Sequence, residues 1–299
     1  EMGYVPDTAA QGLRNRTTKL IGVVISSITN PIFSRIVSAI GEQAHAAGYD
    51  IIISYTLNTP EREEEAIRRL LARRVDGLLI SPVYRISPNA RVYQEIISSR
   101  TPAVILGHLA SFCAQFPNVA TDDLIASYRA TQHLIKLGHK RIAFLTGKMV
   151  APWSQMRLEG YRRALREAEI LVDDKLIFEA GTSVEDGAKA GLQMLQEKCN
   201  ATAMQSVNDL VAIGCAETLM SQGIKIPQEI SIMGYGNILT SEHFSVPLTT
   251  VRQPKFTLGI VAMEMLLKIM RGNPGENRLL PAEIIQREST APPPKTPVI

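Results

Sequence analysis

The chain has 299 residues, of which 45% are hydrophobic and 20% charged, enough apolar material for one large or two medium α/β domains. A net charge of +3 and a pI of about 8.7 are too small for the whole surface to bind nucleic acid, so any DNA contact must be local. No apolar run approaches the roughly 18 residues that span a bilayer, and the first residues lack the charged-then-apolar order of a secretory signal. These features predict a cytoplasmic protein without membrane contact.

The three cysteines, Cys113, Cys199 and Cys215, form no C-x-x-C pair and lie far apart in the chain. This spacing does not favour a zinc site or a disulfide framework, so we expect buried free thiols. The sequence also contains no P-loop, zinc-protease, nucleophile-elbow or dinucleotide-binding motif. We therefore predict no cofactor, no metal and no catalytic residue, and we expect that the protein is not an enzyme.

The first nineteen residues (EMGYVPDTAAQGLRNRTTK) contain a short helix signal that begins with Asp7 as N-cap and runs to Arg14. Leu13 is its one large apolar residue. About three turns without tertiary packing are below the length at which an isolated helix is stable in water. The segment is therefore expected to need a partner surface.

From Lys19 onward, short aliphatic runs alternate with helical patterns, which is typical of a parallel sheet wound with crossover helices. The predicted elements of the first series are strands 20–26, 51–54, 77–81 and 103–106 and helices 33–47, 61–74 and 92–99.

A second series then restarts in the same style. Its predicted elements are strands 141–146, 176–180, 201–206 and 230–234 and helices 124–137, 153–168, 184–198 and 208–222. The order then breaks, with a strand at 249–252, a long helix at 254–271, a final strand at 282–287 and a disordered tail at 291–299.

Two such series predict two doubly wound parallel-sheet lobes of the α/β class, joined by three crossovers near residues 118–120, 249–253 and 280–282. The predicted N-terminal lobe comprises residues 19–119 and 252–281, and the C-terminal lobe comprises residues 120–251 and 282–290. Doubly wound sheets bind ligands at the carboxyl ends of their strands, so we expect a cleft between the lobes. The candidate ligand residues in or next to these loops are Phe33, Tyr84, His108, Trp153, Asn208 and Tyr235.

Nine different short motifs follow one another along the chain. They are EMGYVP (residues 1–6), S-x-x-N-P-x-F (27–33), A-x-x-x-GYD (44–50), R-x-VDG (73–77), HLIKLGHKRIAFLTG (133–147), R-x-x-GY (157–161), NDLVAIG (208–214), IPQEISIMGY (226–235) and PLTTVRQP (247–254). Together they resemble the lactose-repressor (LacI) family of bacterial transcription regulators, from residue 1 to about residue 290. The fold that the resemblance implies is like that of periplasmic binding proteins.

The resemblance implies a helix-turn-helix headpiece that ends at Gly3, so that residues 1–18 are the end of the headpiece and a hinge helix. In the family, a hinge leucine wedges into the minor groove of the operator, which kinks the duplex. Leu13 occupies that position, and Arg14, Arg16 and Lys19 can then contact phosphates. Gly12 weakens the hinge helix. The alternative is an ordinary linker helix packed on its own domain.

The resemblance also implies a small effector, which we expect to be a sugar, a sugar acid or a sugar phosphate. Arg157 and Asn208 match positions that hold ligand in the family. Two aspartates of sugar-binding relatives are replaced here by Gly107 and Gly236. An arginine without neighbouring carboxylates favours an acidic group on the ligand, because its guanidinium binds carboxylate or phosphate bidentately.

Each candidate also has a structural alternative. Arg157 can pair with carboxylates on a helix surface, Trp153 can be a packing anchor, and Phe33 can belong to the core. For His108, the sequence does not decide between a ligand contact and a structural role. Asp122 and Asp123 are expected to start a helix as cap and dipole partners.

The implied function is ligand sensing, in which the effector shifts lobe closure and thereby the operator affinity of a homodimer. Helices 33–47 and 61–74 are the predicted dimer surface. Two other functions remain open at this point: a periplasmic sugar-binding protein of the same fold, and a two-lobed enzyme that uses Asp122 or His108 as acid or base.

Overall fold

The computed structural model describes residues 17–87 and 89–295. The chain divides into two compact units, and it passes from one to the other after Ala120, Pro254 and Leu280. Residues 17–120 and 255–280 belong to the first unit, and residues 121–254 and 281–295 belong to the second. Residues 252–254 and 281, which the prediction assigned to the first lobe, lie in the second unit, and residue 120, predicted in the second lobe, lies in the first unit.

The first unit is a six-stranded sheet with helices on both faces. Its elements are β1 (Leu20–Ile25), α1 (Pro31–Ala46), β2 (Asp50–Tyr55), α2 (Pro60–Ala72), β3 (Gly77–Ile80), α3 (Arg91–Ser98), β4 (Ala103–Leu106) and β5 (Asn118–Thr121), and later α9 (Lys255–Met270) and β11 (Arg278–Leu280). The strand order is β11-β5-β4-β3-β1-β2, and β1 to β5 pair in parallel. Helices α1 and α9 contribute to one hydrophobic cluster, and α2 and α3 contribute to another.

The second unit repeats this design. Its elements are α4 (Asp123–Lys136), β6 (Ile142–Thr146), α5 (Pro152–Glu167), β7 (Ile177–Glu179), α6 (Val184–Gln196), β8 (Ala203–Ser206), α7 (Asp209–Ser221), β9 (Ser231–Tyr235), α8 (Leu239–His243), β10 (Thr249–Arg252) and β12 (Glu283–Ile285). The strand order is β12-β10-β9-β8-β6-β7, and only β12 is antiparallel to its neighbour. The cores contain α4 and α5 on one side and α6 and α7 on the other.

These two mostly parallel sheets confirm the predicted α/β class. Strand 249–252 is confirmed at both ends as β10, whereas β5, β11 and α8 were not predicted. Each of these three has five residues or fewer, too few to show a helical or alternating period. The cysteines are buried and free, as predicted, and burial raises the pKa of the Cys215 thiol to about 12.

Local sequence explains where several helices begin. Pro31, Pro60 and Pro152 each stand at the first position of a helix, where the missing N–H costs nothing and the fixed φ suits the helix. Asp122 is the N-cap of α4, as expected, and its side chain accepts a hydrogen bond from the Ile125 N–H at 3.1 Å.

The helix pairs on the sheets pack through glycines. A Cβ atom on Gly214 of α7 would overlap the Val184 carbonyl of α6, and one on Gly187 of α6 would overlap the Val211 carbonyl of α7. The same type of overlap would occur at Gly160 between α5 and α4 and at Gly259 between α9 and α1. The backbones of these helices therefore approach too closely for any side chain at the contact.

The predicted disordered tail is wrong at its start, because Ala291 is bound to the second unit. The Ala291 N–H donates to Ser231 Oγ at 2.9 Å, and the Ala291 carbonyl accepts from His139 Nε2 at 2.8 Å. The other ring nitrogen of His139 lies 2.9 Å from Thr202 Oγ1. Burial lowers the pKa of the His139 imidazole; the Ala291 bond opposes this shift, and the charge of His133 adds to it. The buried ring is therefore a neutral anchor for residues after β12.

We expect Gly214→Ala to lower the free energy of unfolding by about 1–3 kcal/mol or more, because the new methyl group must push α7 away from α6. Gly41→Ala is the matched control in α1, where a Cβ atom would make only an ordinary contact of 3.6 Å with Ile51. It should stabilise the protein by about 0.5–1 kcal/mol through helix propensity. Urea unfolding measures both, and equal effects of the two substitutions would contradict the close helix contact.

We expect the stability of the protein to fall as the pH drops below about 6.5, the ordinary pKa of histidine. The folded-state pKa of His139 is lowered, so the unfolded chain binds more protons in the window between the two pKa values, and protonation favours unfolding there. His139→Gln removes this titration and should make unfolding less sensitive to pH between about 7.5 and 5.5. Urea unfolding at several pH values checks this, and an unchanged pH dependence would show that His139 is not responsible.

Candidate functional site

In the second unit, polar and aromatic side chains collect at the carboxyl ends of the parallel strands. Trp153 and Arg157 lie in the first two turns of α5, which follows β6. Asn208 follows β8, Tyr235 is the last residue of β9, and Asp123 is the first residue of α4. Open α/β sheets bind ligands at this edge, so the topology brings the predicted residues of this unit to one place.

A buried ion pair is the centre of this group. Arg157 Nε donates to Asp123 Oδ1 at 2.8 Å, its Nη2 lies 2.8 Å from the same oxygen, and its Nη1 donates to the Val207 carbonyl at 2.5 Å. The Tyr235 hydroxyl donates to Asp123 Oδ1 as well. The guanidinium carbon of Arg157 lies 3.6 Å from the centre of the Tyr235 ring, which adds a cation–π contact. Arg157, Asp123 and Tyr235 therefore form one buried cluster.

The electrostatics of the cluster fix its protonation. Burial lowers the pKa of the Arg157 guanidinium, but the charge of Asp123 and contacts with Tyr235 outweigh it, so the net pKa is raised. Burial and then the charge of Asp123 raise the pKa of the Tyr235 hydroxyl well above its ordinary value. Arg157 therefore stays charged and Tyr235 stays neutral at physiological pH.

The expectation that Arg157 lacks a neighbouring carboxylate is wrong. Asp123 was predicted to act as a dipole partner at a helix start, and it does begin α4, but its carboxylate also neutralises Arg157. The alternative of a surface ion pair for Arg157 is also wrong, since this side chain is 7% exposed. Sequence reasoning missed the pair because 34 residues separate the partners.

Trp153 lies next to this cluster and is only partly buried. Its ring centre is 5.1 Å from the Arg157 guanidinium carbon, and the indole packs against the core on the α6 and α7 side. A Cβ atom on Gly147 would come within 2.7 Å of the ring, so the glycine makes room for the indole beside the loop after β6. Trp153 thus combines packing with partial solvent exposure, and its predicted ligand contact stays a prediction.

Asn208 and Asp209 fix the loops beside the cluster. Asn208 is the N-cap of α7: its Oδ1 accepts from the Val211 N–H at 2.8 Å, and its Nδ2 donates to the Thr182 carbonyl at 2.9 Å. Asp209 accepts from the Ile238 N–H at 2.9 Å and from Thr250 Oγ1 at 2.5 Å. This aspartate ties the loops after β8 and β9 to β10.

Gly107 and Gly236 occupy positions where the backbone itself favours glycine. Their φ angles are +128° and +135°, in a region that side chains with a Cβ rarely adopt. A Cβ atom would also lie 3.1 Å from the Tyr84 hydroxyl at Gly107 and 3.3 Å from an Asp209 oxygen at Gly236. An aspartate at either position would therefore be strained in this backbone.

In the first unit, the structure brings two of the three predicted residues together. The Tyr84 hydroxyl donates to the His108 carbonyl at 2.7 Å, and both residues follow strands at the carboxyl edge of the sheet. Phe33 lies in the hydrophobic cluster shared by α1 and α9 and is 8% exposed, which agrees with its core alternative. A ligand contact for any of the three stays a prediction.

A second buried ion pair, which sequence reasoning missed, shapes the loop that carries Tyr84. Glu63 of α2 is fully buried and pairs with Arg85. Its carboxylate also accepts from the Val83 N–H at 2.7 Å and from the Tyr93 hydroxyl at 2.9 Å. The sequence pattern of α2 gave no sign that Glu63 is buried and paired, because Glu63 lies in a run of acidic residues that suits an exposed helix start.

The hinge residues Leu13, Arg14 and Arg16 lie outside the described residues. Within residues 17–87 and 89–295, no group of three or more His, Cys, Asp or Glu side chains could hold a metal ion. No helix in the same ranges is long and apolar enough to cross a membrane.

Comparison with known proteins identifies the class of the fold. A family model described as a periplasmic binding protein-like domain matches residues 131–290. The chain is 32% identical to the HTH-type transcriptional repressor PurR of Vibrio atlanticus, over 97% of this chain and 86% of the relative. It is 31% identical to the ribose operon repressor of Haemophilus influenzae, over 93% of this chain and 82% of the relative.

Two solved structures extend the similarity. The lac repressor dimer bound to operator and an anti-inducer has a TM-score of 0.85 and 29% identity, covering 97% of this chain and 100% of that one. A LacI family regulator from Enterococcus faecium with bound ribose has a TM-score of 0.80 and 28% identity, covering 91% and 99%. The chain therefore contains a periplasmic-binding-protein-like ligand-binding region.

The chain belongs to the LacI family of transcription regulators, and it is the ligand-binding region of such a repressor. These relatives are transcriptional repressors and not enzymes, and they favour a repressor over a periplasmic sugar-binding protein.

We expect Asp123→Asn to lower the free energy of unfolding by about 3–5 kcal/mol, because it leaves the buried Arg157 charge without its partner. The matched control is Glu167→Gln, which makes the same chemical change in an exposed pair with Arg163 and should alter stability little. Urea unfolding compares them, and a small effect of Asp123→Asn would show that the pair does not stabilise this edge.

Proposed function

We propose that this chain senses a small neutral sugar for a LacI-family repressor, and that the sugar binds at the carboxyl edge of the second unit's sheet. The observation that supports this most is the Arg157–Asp123 pair, at 2.8 Å. An anionic ligand would need an arginine with uncompensated charge, whereas this guanidinium is neutralised by a carboxylate of the same unit. The acidic sugar derivatives expected from the sequence are therefore less favoured than the parent sugar.

The chemistry of the edge suits a polyhydroxylated ring. A guanidinium beside a carboxylate presents N–H donors next to acceptor oxygens, and a sugar hydroxyl both donates and accepts. The partly exposed Trp153 indole offers an apolar surface for the C–H face of a sugar. Ligand sites of this size combine such an apolar wall with a few fixed polar groups.

The relatives direct the choice of sugar. One of them is a ribose operon repressor, and one structural neighbour contains bound ribose. We therefore propose ribose as the first candidate ligand and other neutral sugars as the next.

We also propose that the chain acts as a homodimer on operator DNA, with Leu13 as the minor-groove wedge and Arg14 and Arg16 on phosphates. Because a repressor acts on the chromosome, we place the protein in the cytoplasm. Effector and operator binding are then linked, so each changes the affinity for the other by the same factor. Measuring operator affinity with and without the sugar distinguishes the two kinds of effector: an inducer lowers this affinity, and a corepressor raises it.

We expect ribose to raise the midpoint of thermal unfolding of the 299-residue chain, because a ligand that binds only the folded state stabilises it by about 2.7 kcal/mol at one hundred times its Kd. Trp153→Leu should greatly reduce this shift. Leu171→Ala, at a residue of the second unit that is 87% exposed, is the control and should keep the full shift.

The ligand panel contains ribose, other neutral sugars, sugar acids and sugar phosphates. Stabilisation by acidic compounds alone would contradict a neutral effector, and an equal shift in the Trp153→Leu variant would contradict the proposed location.

A further inference from the structure

A cavity of about 750 Å³ opens at the amino-terminal edge of the first unit's sheet, opposite the edge with Tyr84 and His108. Residues that precede three parallel strands line it: Lys19 before β1, Asp76 before β3 and Pro102 before β4. The cavity therefore lies at the opposite end of these strands from Tyr84 and His108.

Four cations surround the cavity, and we name them the basic rim: Lys19, Arg74, Arg100 and Arg271. All four are exposed, and none forms an ion pair with a carboxylate within residues 17–87 and 89–295. They come from the start of one strand and from the carboxyl ends of three helices, so the chain gathers them from four distant stretches. The residues that line the cavity include one carboxylate, Asp76, against these four cations, so the net charge of the lining is positive.

Asp76, the carboxylate that also lines the cavity, is engaged by the backbone and hydroxyls of residues 17–19. It accepts from the Thr18 N–H at 2.9 Å, from the Lys19 N–H at 3.0 Å and from the Thr17 hydroxyl. Asp76 thus fixes the point where the chain enters the first unit, and that point lies on the wall of the cavity.

The position of Thr17 sets how far DNA can be from the rim. Leu13 precedes Thr17 by four residues, and four extended residues span at most about 14 Å. A duplex held at Leu13 therefore passes close to the basic rim. Exposed arginines spread around an open cavity suit a line of phosphates, whereas a small anion is held by donors that converge on one point.

We propose that the basic rim binds backbone phosphates of the DNA duplex that the segment before Thr17 engages. This inference rests on the proposed function, since it takes DNA as the partner. Phosphate contacts position a protein on a duplex without reading its sequence, so the rim adds affinity and orientation, and not base specificity.

The test measures binding of the 299-residue chain to two fluorescent duplexes of unrelated sequence by anisotropy, over a range of KCl concentrations. The variant Arg74→Gln, Arg100→Gln, Arg271→Gln should bind both duplexes more weakly by the same factor. The slope of log affinity against log salt should decrease in magnitude by about three, since each lost phosphate contact removes about 0.9. Lys19 is retained because its ammonium lies over the Tyr49 ring at 4.5 Å.

The matched control removes the same charge from exposed positions of the second unit: Arg129→Gln, Lys140→Gln, Lys198→Gln. It should keep the wild-type salt slope. Equal slopes for the two triple variants, or no salt-dependent DNA binding by the wild type, would overturn the proposal. A further measurement adds inorganic pyrophosphate to the wild type and to the rim variant and records their thermal stability. If pyrophosphate stabilised only the wild type while both proteins bound DNA equally, the rim would be a small-anion site and the proposal would be wrong.

The design separates this inference from the proposed function. The duplexes carry no operator, and the rim variant should retain the full ribose-induced thermal shift, since its substitutions lie in the first unit. If ribose raised the unfolding midpoint of none of the three proteins, the proposed effector would be wrong. The salt slopes of DNA binding would still decide the role of the rim.

Discussion

The carboxyl edge of the second unit's sheet depends on one buried ion pair. Arg157 and Asp123 join the start of α4 to the second turn of α5, and the Tyr235 hydroxyl attaches the end of β9 to the same carboxylate. A charge inside a protein is tolerated only when it is paired and hydrogen-bonded, so these elements must keep their relative positions. The pair therefore sets the shape of the edge and removes net charge from it.

Helix starts supply the carboxylates that the strand-end loops lack. Gly107 and Gly236 follow β4 and β9, which hold the same place in the strand orders of the two sheets, and both have positive φ angles. Asp123 and Asp209 are the first residues of α4 and α7, where the helix dipole favours a negative charge. The second unit thus keeps carboxylates at the edge while its loop after β9 has a backbone that only glycine adopts with ease.

The sequence could predict the elements whose patterns are long, and not the pairs that depend on tertiary structure. Helices α1, α2 and α5 show a helical period and begin at prolines, so they were recognised within a few residues of their ends. Strands β5 and β11 have four and three residues, too few for alternation to show. Glu63 resembled an ordinary acidic helix start, because its partner Arg85 lies beyond a strand that had to be placed first.

Ligand sensing by a repressor also requires that ligand binding at one site change the affinity for DNA at another. Strands β1, β3 and β4 are buried and run from the basic rim to the edge with Tyr84, over four to six residues or about 13–20 Å. Such a buried sheet is not expected to deform gradually, since protein interiors are close-packed and absorb small shifts poorly. A ligand signal that reaches DNA through the first unit is therefore expected to move this unit as a whole, and to displace the basic rim together with the point where Asp76 holds the incoming chain.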